Sequence, residues 1–270
     1  ADYHTLKHDF QAAFSELNLT SSSQGFIAGE GLGPYWLTTR NGKRCSSASA
    51  FLHPAASRPN LYILTETTAT QINIQNRYAV GIEVTRKNKK RKLKARREVI
   101  VAAGAVNSPQ LLQLSGIGSS SHLNTVGIEP IIEHAHVGQH LQDHLGINYF
   151  FKSKKPTLNN TLGSWAGRLR SGIQYIARRR GPLSLSVNQV GGLVRANPES
   201  VHLDTQLYCN PVSYQPADTN DRKLTQPDPY PGFIMGFNPC RPTSEGSIKI
   251  GSNHCNDAPE IRTSYLSTEH

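Results

Sequence analysis

Several common signatures are absent from this chain of 270 residues. No apolar run is long enough to cross a bilayer, and the first residues lack the apolar core of a secretory signal peptide. Neither a G-x-S-x-G motif nor a P-loop occurs, which argues against a serine hydrolase and a P-loop nucleotide site. The four cysteines show no C-x-x-C spacing, which disfavours a zinc ribbon or a thioredoxin-type pair. So few cysteines fit a reducing compartment; we expect no membrane span and favour a cytoplasmic location.

The positive charge is concentrated in one short stretch. The formal net charge is +10, and nine basic residues lie within residues 86–97, with no acidic residue among them. This run separates two apolar segments, as expected of a solvated hairpin. No aromatic residue is interleaved with the charges to stack on bases, so we expect no nucleic-acid partner.

The apolar patterning predicts a mixed α/β chain. The predicted helices cover residues 7–17, 48–52, 108–116, 121–126 and 164–180. The predicted strands cover residues 61–65, 70–74, 80–84, 98–103, 190–194, 205–209, 233–238 and 247–250. The strand over 80–84 is expected to pair with the segment around Leu93 across the basic hairpin.

The segment over residues 98–118 is the most informative part of the sequence. Residues 98–103 have the continuous apolar pattern of a strand inside a parallel sheet. Ser108 and Pro109 suit the start of a helix, and Gly116 suits its end. A strand, a glycine turn and a helix offer close backbone approach and free amides to a cofactor, although a plain β–α connection has the same pattern.

The exact residue sequence of this segment is more informative than its pattern of apolar and polar positions. Residues 104–118 read G-A-V-N-S-P-Q-L-L-Q-L-S-G-I-G, which resembles the second signature of the glucose–methanol–choline (GMC) oxidoreductases, a flavin-dependent family. Residues 137–144, V-G-Q-H-L-Q-D-H, resemble the family's V-G-x-N-L-Q-D-H segment, with His140 in place of asparagine. Residues 41–61 and 238–242 also fit in the family's order, so the resemblance covers nearly the whole chain.

The resemblance implies an α/β fold, in which part of a flavin-binding domain with a parallel-sheet element precedes a strand-rich substrate domain. We therefore expect a leading segment over 1–36, the central flavin-binding part over 37–143 and an incomplete substrate-binding domain over 144–270. The family's amino-terminal G-x-G-x-x-G unit and its catalytic histidine have no match here. We accordingly expect an internal fragment that is inactive by itself and carries no catalytic residue of its own.

The implied reaction is FAD-dependent oxidation of a small-molecule alcohol, with hydride transfer from the carbinol carbon to the flavin and an unknown electron acceptor. Relatives that cleave hydroxynitriles or decarboxylate fatty acids offer a flavin-dependent alternative, and a non-catalytic truncated remnant offers another. The resemblance places FAD contacts at Ala69, whose backbone meets the adenine in relatives, and at the turn of Ala103, Gly104 and Ala105. Ala69 could equally fill a sheet.

Two further positions concern the substrate and metals. Gln189 stands where choline-oxidising relatives have a glutamate, so the resemblance implies substrate contact and disfavours a cationic alcohol. Gln189 could instead be an ordinary strand residue that hydrogen-bonds its neighbours. His140 and His144 have the i, i+4 spacing of metal ligands, but Gly138 and Pro130 disfavour one continuous helix, so we expect no metal site.

Overall fold

The computed structural model describes residues 3–22, 29–215 and 226–268. Two compact units divide the chain: the first contains residues 1–58 and 144–241, and the second contains residues 59–143 and 242–270. Each unit therefore consists of two stretches that are distant in sequence. This arrangement differs from the three consecutive segments expected from the sequence, although both place a boundary at residues 143–144. The functional labels given to those segments stay predictions.

The helices are short except for three. They are α1 (Leu6–Glu16), a π-helix (Ala48–Leu52), α2 (His53–Ala55), α3 (Gly104–Leu114), α4 (Ser120–Thr125), α5 (Leu158–Leu162), α6 (Trp165–Arg178) and a 3₁₀ turn (Pro182–Ser184). The strands are β1 (Gly31–Pro34), β2 (Thr39–Arg40), β3 (Lys43–Arg44), β4 (Thr68–Gln75), β5 (Tyr78–Arg86), β6 (Lys89–Lys94), β7 (Ile117–Gly118), β8 (Ile132–Glu133), β9 (Gln139–Leu141), β10 (Ile147–Lys152), β11 (Val190–Val194), β12 (Thr205–Asn210), β13 (Gly232–Pro239), β14 (Gly246–Lys249) and β15 (Glu260–Arg262).

The first unit is built on an antiparallel sheet of five strands in the order β1-β11-β12-β13-β10. Helix α1 covers one face of this sheet. Leu6, Phe10 and Phe14 recur at every fourth position, so they share one side of the helix and are all buried. Phe10 meets the ring of Phe233 edge-on at 5.5 Å between centroids. The predicted first helix and the strands from 190 onward are confirmed.

The second unit contains a meander of three strands in the order β4-β5-β6. The basic run forms the β5–β6 hairpin, in which Ile82 pairs with Leu93 as predicted. The two-residue turn of Lys87 and Asn88 has positive φ values of 48° and 59°, the geometry that matches the strand twist in a type I′ turn.

Helix α3 packs along β4 and β14. The Ser115 hydroxyl at its end accepts a hydrogen bond of 2.8 Å from the Ile72 amide of β4. The buried Gln113 side chain donates to the Ile248 carbonyl at 3.0 Å and accepts from the Ile250 amide at 3.3 Å. Helix α3 is thereby connected both to the meander and to a strand more than 130 residues later.

Three predictions for this region are wrong. Residues 98–103 form no strand, and Ile100 is 77% exposed. A continuously apolar strand is stable only when neighbours cover it, and in the described parts of the chain no strand pairs with these residues. Among the described strands, the only parallel pair joins β7 to β8 instead. Residues 61–65 also form no strand, and Tyr62 is 85% exposed.

The third error is the start of α3. The helix begins at Gly104, four residues before the predicted Ser108, because Gly104 turns the chain early with a left-handed φ of 87°. The Ser108 hydroxyl accepts from the Ala103 amide at 3.1 Å, and Pro109 lies inside the helix. Gly116 ends the helix with a φ of 79°, as predicted.

Candidate cofactor site

The second unit contains a cleft of about 310 Å³ between the start of β4 and the start of α3. It is lined by two threonines and an alanine of the β4 region, by residues of the α3 region and by one residue from the far end of the unit. These are Thr67, Thr68, Ala69, Ala103, Asn107, Gln110, Leu111, Leu114 and Cys255. Two of the four predicted cofactor residues, Ala69 and Ala103, therefore lie on the same cleft.

On one side of the cleft, the backbone around Ala69 is accessible. In the part of the chain that the structure describes, strand β4 lies at the edge of its sheet, and its outer backbone groups pair with no further strand. Ala69 pairs with Val84 on the inner side, and the register shifts directly after it, between Ala69 and Gln71. Bulges of this kind are frequent beside functional sites, since they redirect the backbone. Ala69 is exposed, so its side chain does not fill a core.

On the other side, the chain turns sharply into α3. Gly104 has open space beside it: a Cβ atom placed there would meet no atom within 4 Å. The amides of the first helical turn have no carbonyl partner within α3, and the helix dipole is positive at this end. Ala105 follows in the same turn. These residues leave both room and hydrogen-bond donors next to the cleft.

This arrangement fits the nucleotide part of FAD. The methyl and isobutyl groups of Ala69, Leu111 and Leu114 offer an apolar surface to a flat purine ring. The first turn of α3 presents the partial positive charge that suits a phosphate-bearing group. The residues present therefore match the chemistry of the cofactor that the sequence implies.

Sequence reasoning missed the remaining lining residues. Asn107, Gln110 and Leu111 belong to the motif over residues 104–118, and helical spacing would have placed them on one side. Thr67 and Thr68 directly precede Ala69. No sequence pattern indicated a role for Cys255, because only folding brings residue 255 to the cleft.

Gln189 lies elsewhere, in the first unit directly before β11. Its side chain is 2% exposed, and its Oε1 accepts a hydrogen bond of 2.8 Å from the backbone amide of His4. Burial lowers the pKa of the His4 imidazole below its usual value. The contact with His4 matches the alternative of a hydrogen-bonded structural residue, and a role in substrate binding stays a prediction.

The histidine-rich segment forms pairs of side chains. His136 Nδ1 and His140 Nε2 lie 2.9 Å apart, and His140 Nδ1 contacts the Glu245 carboxylate. No group of three metal-ligating side chains comes together within residues 3–22, 29–215 and 226–268. His140 has a φ of 58°, which explains why asparagine, a residue that tolerates this conformation, suits the same position in the family pattern.

Similarity to known proteins identifies the family of this chain. The family model described as GMC oxidoreductase matches residues 2–146, more than half of the chain. The chain belongs to the GMC oxidoreductase family. It is 34% identical over 268 residues to the oxygen-dependent choline dehydrogenase of Staphylococcus xylosus, covering 96% of this chain and 46% of that protein. It is 36% identical to the alcohol dehydrogenase [acceptor] of Pseudomonas putida, covering 88% of this chain and 43% of that protein.

The solved structures agree on the fold. A structure concerned with FAD modification in the formate oxidase of Aspergillus oryzae matches with a TM-score of 0.83 at 20% identity, over 99% of this chain and 51% of that one. FAD is the cofactor of this family. This GMC chain spans less than half the length of the two curated relatives. In its described part, no helix is both long and apolar enough to span a membrane.

Proposed function

We propose that this GMC chain takes part in FAD-dependent oxidation of an alcohol and holds the nucleotide part of the cofactor. The observation that carries the proposal is the cleft on which Ala69 and Ala103 meet, although 33 positions of sequence separate them. When bound, FAD would supply the redox chemistry by accepting a hydride from the carbinol carbon.

In this proposal, the residues of the chain bind the cofactor and fix its orientation. The accessible backbone of Ala69 and the turn of Ala103, Gly104 and Ala105 would hold the adenine side of FAD. Leu111 and Leu114 would exclude water from one wall of the cleft. Fixing the cofactor in one orientation is the protein's part in flavin chemistry.

The substrate class is a neutral alcohol in this proposal. The relatives named above include a choline dehydrogenase and an alcohol dehydrogenase, so their names leave the choice open. Gln189 favours a neutral substrate, because a carboxamide attracts a quaternary ammonium less than a carboxylate does. Its hydrogen bond to His4 weighs against direct substrate contact.

Alcohol turnover needs more than these residues. The sequence contains no G-x-G-x-x-G unit to hold the FAD diphosphate, and none of its histidines has the context expected of the family's catalytic base. We therefore expect residues 1–270 alone, supplied with FAD, a panel of alcohols and an artificial electron acceptor, to show no turnover. Robust turnover would contradict the division of roles proposed here.

Binding of FAD is measured separately, by fluorescence anisotropy of the flavin. Ala103→Glu places a carboxylate on the cleft, where it would repel the cofactor's phosphates, and Ala103 is exposed, so folding should be unaffected. We expect at least a tenfold weaker affinity than in the wild type. Ala79→Glu, at an exposed position of β5 away from the cleft, is the matched control and should bind as the wild type does. Equal FAD affinities of the two variants would show that the cleft does not bind the cofactor.

A further inference from the structure

Helix α6 presents an uncovered apolar stripe. Trp165, Leu169, Ile173 and Ile176 are spaced by four, four and three residues, so they lie on one side of the helix. Their exposed fractions are 75%, 48%, 59% and 74%. The opposite side, where Ser171 is only 2% exposed, packs against the rest of the first unit. A contiguous apolar stripe that is exposed on a folded surface is a recognised mark of an interaction site.

The charges around the stripe are all positive. Arg168 and Arg170 project at its two edges, and Arg178, Arg179 and Arg180 follow at the carboxyl end of the helix. The sequence contains no acidic residue between Asp143 and Glu199, so nothing within the helix or beside it in sequence neutralises these arginines. The surface that complements α6 must therefore be apolar in the middle and negatively charged at its margins.

The stripe lacks the enclosing walls of a small-molecule pocket. The shallow depression along it is lined only by α6 itself, including Trp165, Leu169 and Ile173. A site for a small ligand needs walls from several elements, whereas a helix that offers one flat amphipathic side suits an extended surface. With 14 residues, α6 is also too short to cross a bilayer, which takes about 20.

We propose that α6 binds the surface of an anionic lipid bilayer. The helix lies parallel to the membrane plane, with the Ile173 side among the acyl chains and the arginines against lipid phosphates. Trp165, at the amino-terminal end of the stripe, takes the interfacial position that tryptophan favours. This inference concerns where the chain docks and is independent of the proposed FAD site.

The test uses the fluorescence of Trp165. The chain has two tryptophans, so Trp36→Phe leaves Trp165 as the only reporter, and Trp36 is itself 77% exposed. The probe is a vesicle of phosphatidylglycerol and phosphatidylcholine, compared with phosphatidylcholine alone. We expect a blue shift of Trp165 emission, quenching by brominated acyl chains and co-sedimentation with the anionic vesicles only. Binding should weaken severalfold as salt is raised, because the initial attraction is electrostatic.

Three variants make the test specific. Ile173→Asp charges the centre of the stripe at an exposed position and should reduce vesicle binding at least tenfold with unchanged circular dichroism. Val201→Asp, at a residue that is 83% exposed elsewhere, is the matched control and should bind normally. Lys90→Glu with Lys92→Glu reverses two positive charges on the exposed β5–β6 hairpin and should leave most of the binding intact.

Three outcomes would overturn the proposal. They are no binding to anionic vesicles, binding that survives Ile173→Asp, and binding that disappears with the hairpin variant. Self-association of the wild type in sedimentation velocity that Ile173→Asp abolishes, without vesicle binding, would instead assign the stripe to an interface between two copies of the chain.

Discussion

Gln189 shows how the same residue supports different functions depending on what surrounds it. From the sequence it is a candidate for substrate contact. In the structure its buried carboxamide oxygen accepts a hydrogen bond from the backbone amide of His4. Sequence position alone cannot distinguish these roles, because the partner lies 185 residues away. Substitution can distinguish them.

We expect Gln189→Glu to destabilise the protein and to do so more at pH 8 than at pH 5. A buried carboxylate loses hydration, so its pKa in the folded state rises above the unfolded value of about 4.3. The penalty from the charge is therefore absent below the unfolded pKa, where the carboxyl is protonated in both states. It grows as the pH rises from the unfolded pKa to the folded pKa, so it is larger at pH 8 than at pH 5. Chemical denaturation at the two pH values measures this. A variant as stable as the wild type at pH 8 would indicate a hydrated or cation-accepting site and would favour the substrate role.

Cys209 should be chemically inert in the folded protein. It is fully buried in β12, and burial raises the pKa of its thiol to about 12. At pH 8 its thiolate fraction is then roughly a thousandfold lower than that of a free cysteine. All four cysteines are free thiols, and Cys45, Cys240 and Cys255 are partly exposed.

Alkylation by iodoacetamide followed by peptide mass spectrometry tests this. We expect Cys45 to be labelled in the native protein and Cys209 only after unfolding in urea. Native labelling of Cys209 at the rate of Cys45 would show that β12 is not packed as described.

At the level of elements, the position of α3 depends on one polar side chain. Gln113 is 2% exposed and bonds both Ile248 and Ile250, so α3 and β14 are joined through it. We expect Gln113→Met to lower the free energy of unfolding by about 2–4 kcal/mol, because two buried backbone groups lose their partners. Urea denaturation measures the loss.

Gln110→Met, one turn earlier in α3, is the control. Within the described residues, the Gln110 side chain donates one hydrogen bond, to the Asp257 carbonyl at 2.9 Å, so we expect a loss of about 1 kcal/mol. If both variants lose the same stability, Gln113 has no special part in positioning α3.

The elements that the sequence predicts correctly are those with local determinants. Helix α6 begins where the Ser164 hydroxyl accepts from the Gly167 amide, and the β5–β6 hairpin turns at Lys87 and Asn88. The strand expected over residues 98–103 fails because its stability depends on neighbours rather than on its own residues. The start of α3 is misplaced because Ser108 and Pro109 look like a cap, whereas the φ of Gly104 sets the turn.

The candidate site was predictable only in part, for the same reason. Ala69, Ala103, Gly104 and Ala105 come from family motifs, which are local strings of residues. The position of Cys255 on the cleft and the hydrogen bonds of Gln113 to β14 and the residue after it depend on contacts across more than 130 residues. No local sequence pattern predicts such contacts.

For the molecule as a whole, we propose that a chain spanning less than half the length of its curated relatives still forms the adenine-side cleft for FAD. This claim requires the β4 and α3 regions to fold against each other in residues 1–270 alone. It also requires that a nucleotide finds this cleft in preference to the basic β5–β6 hairpin, which would attract any polyanion.

The most direct measurement is a titration of the isotopically labelled chain with FAD, and separately with ADP, followed by amide chemical shifts. We predict that both ligands shift the amides of residues 67–69 and 103–107, and that the shifts saturate and persist at moderate salt. The amides of α6 and of Gln189 should not move. Shifts confined to residues 86–97 that vanish with salt would contradict the proposed cofactor cleft. So would unmoved amides at Ala69, Ala103, Gly104 and Ala105.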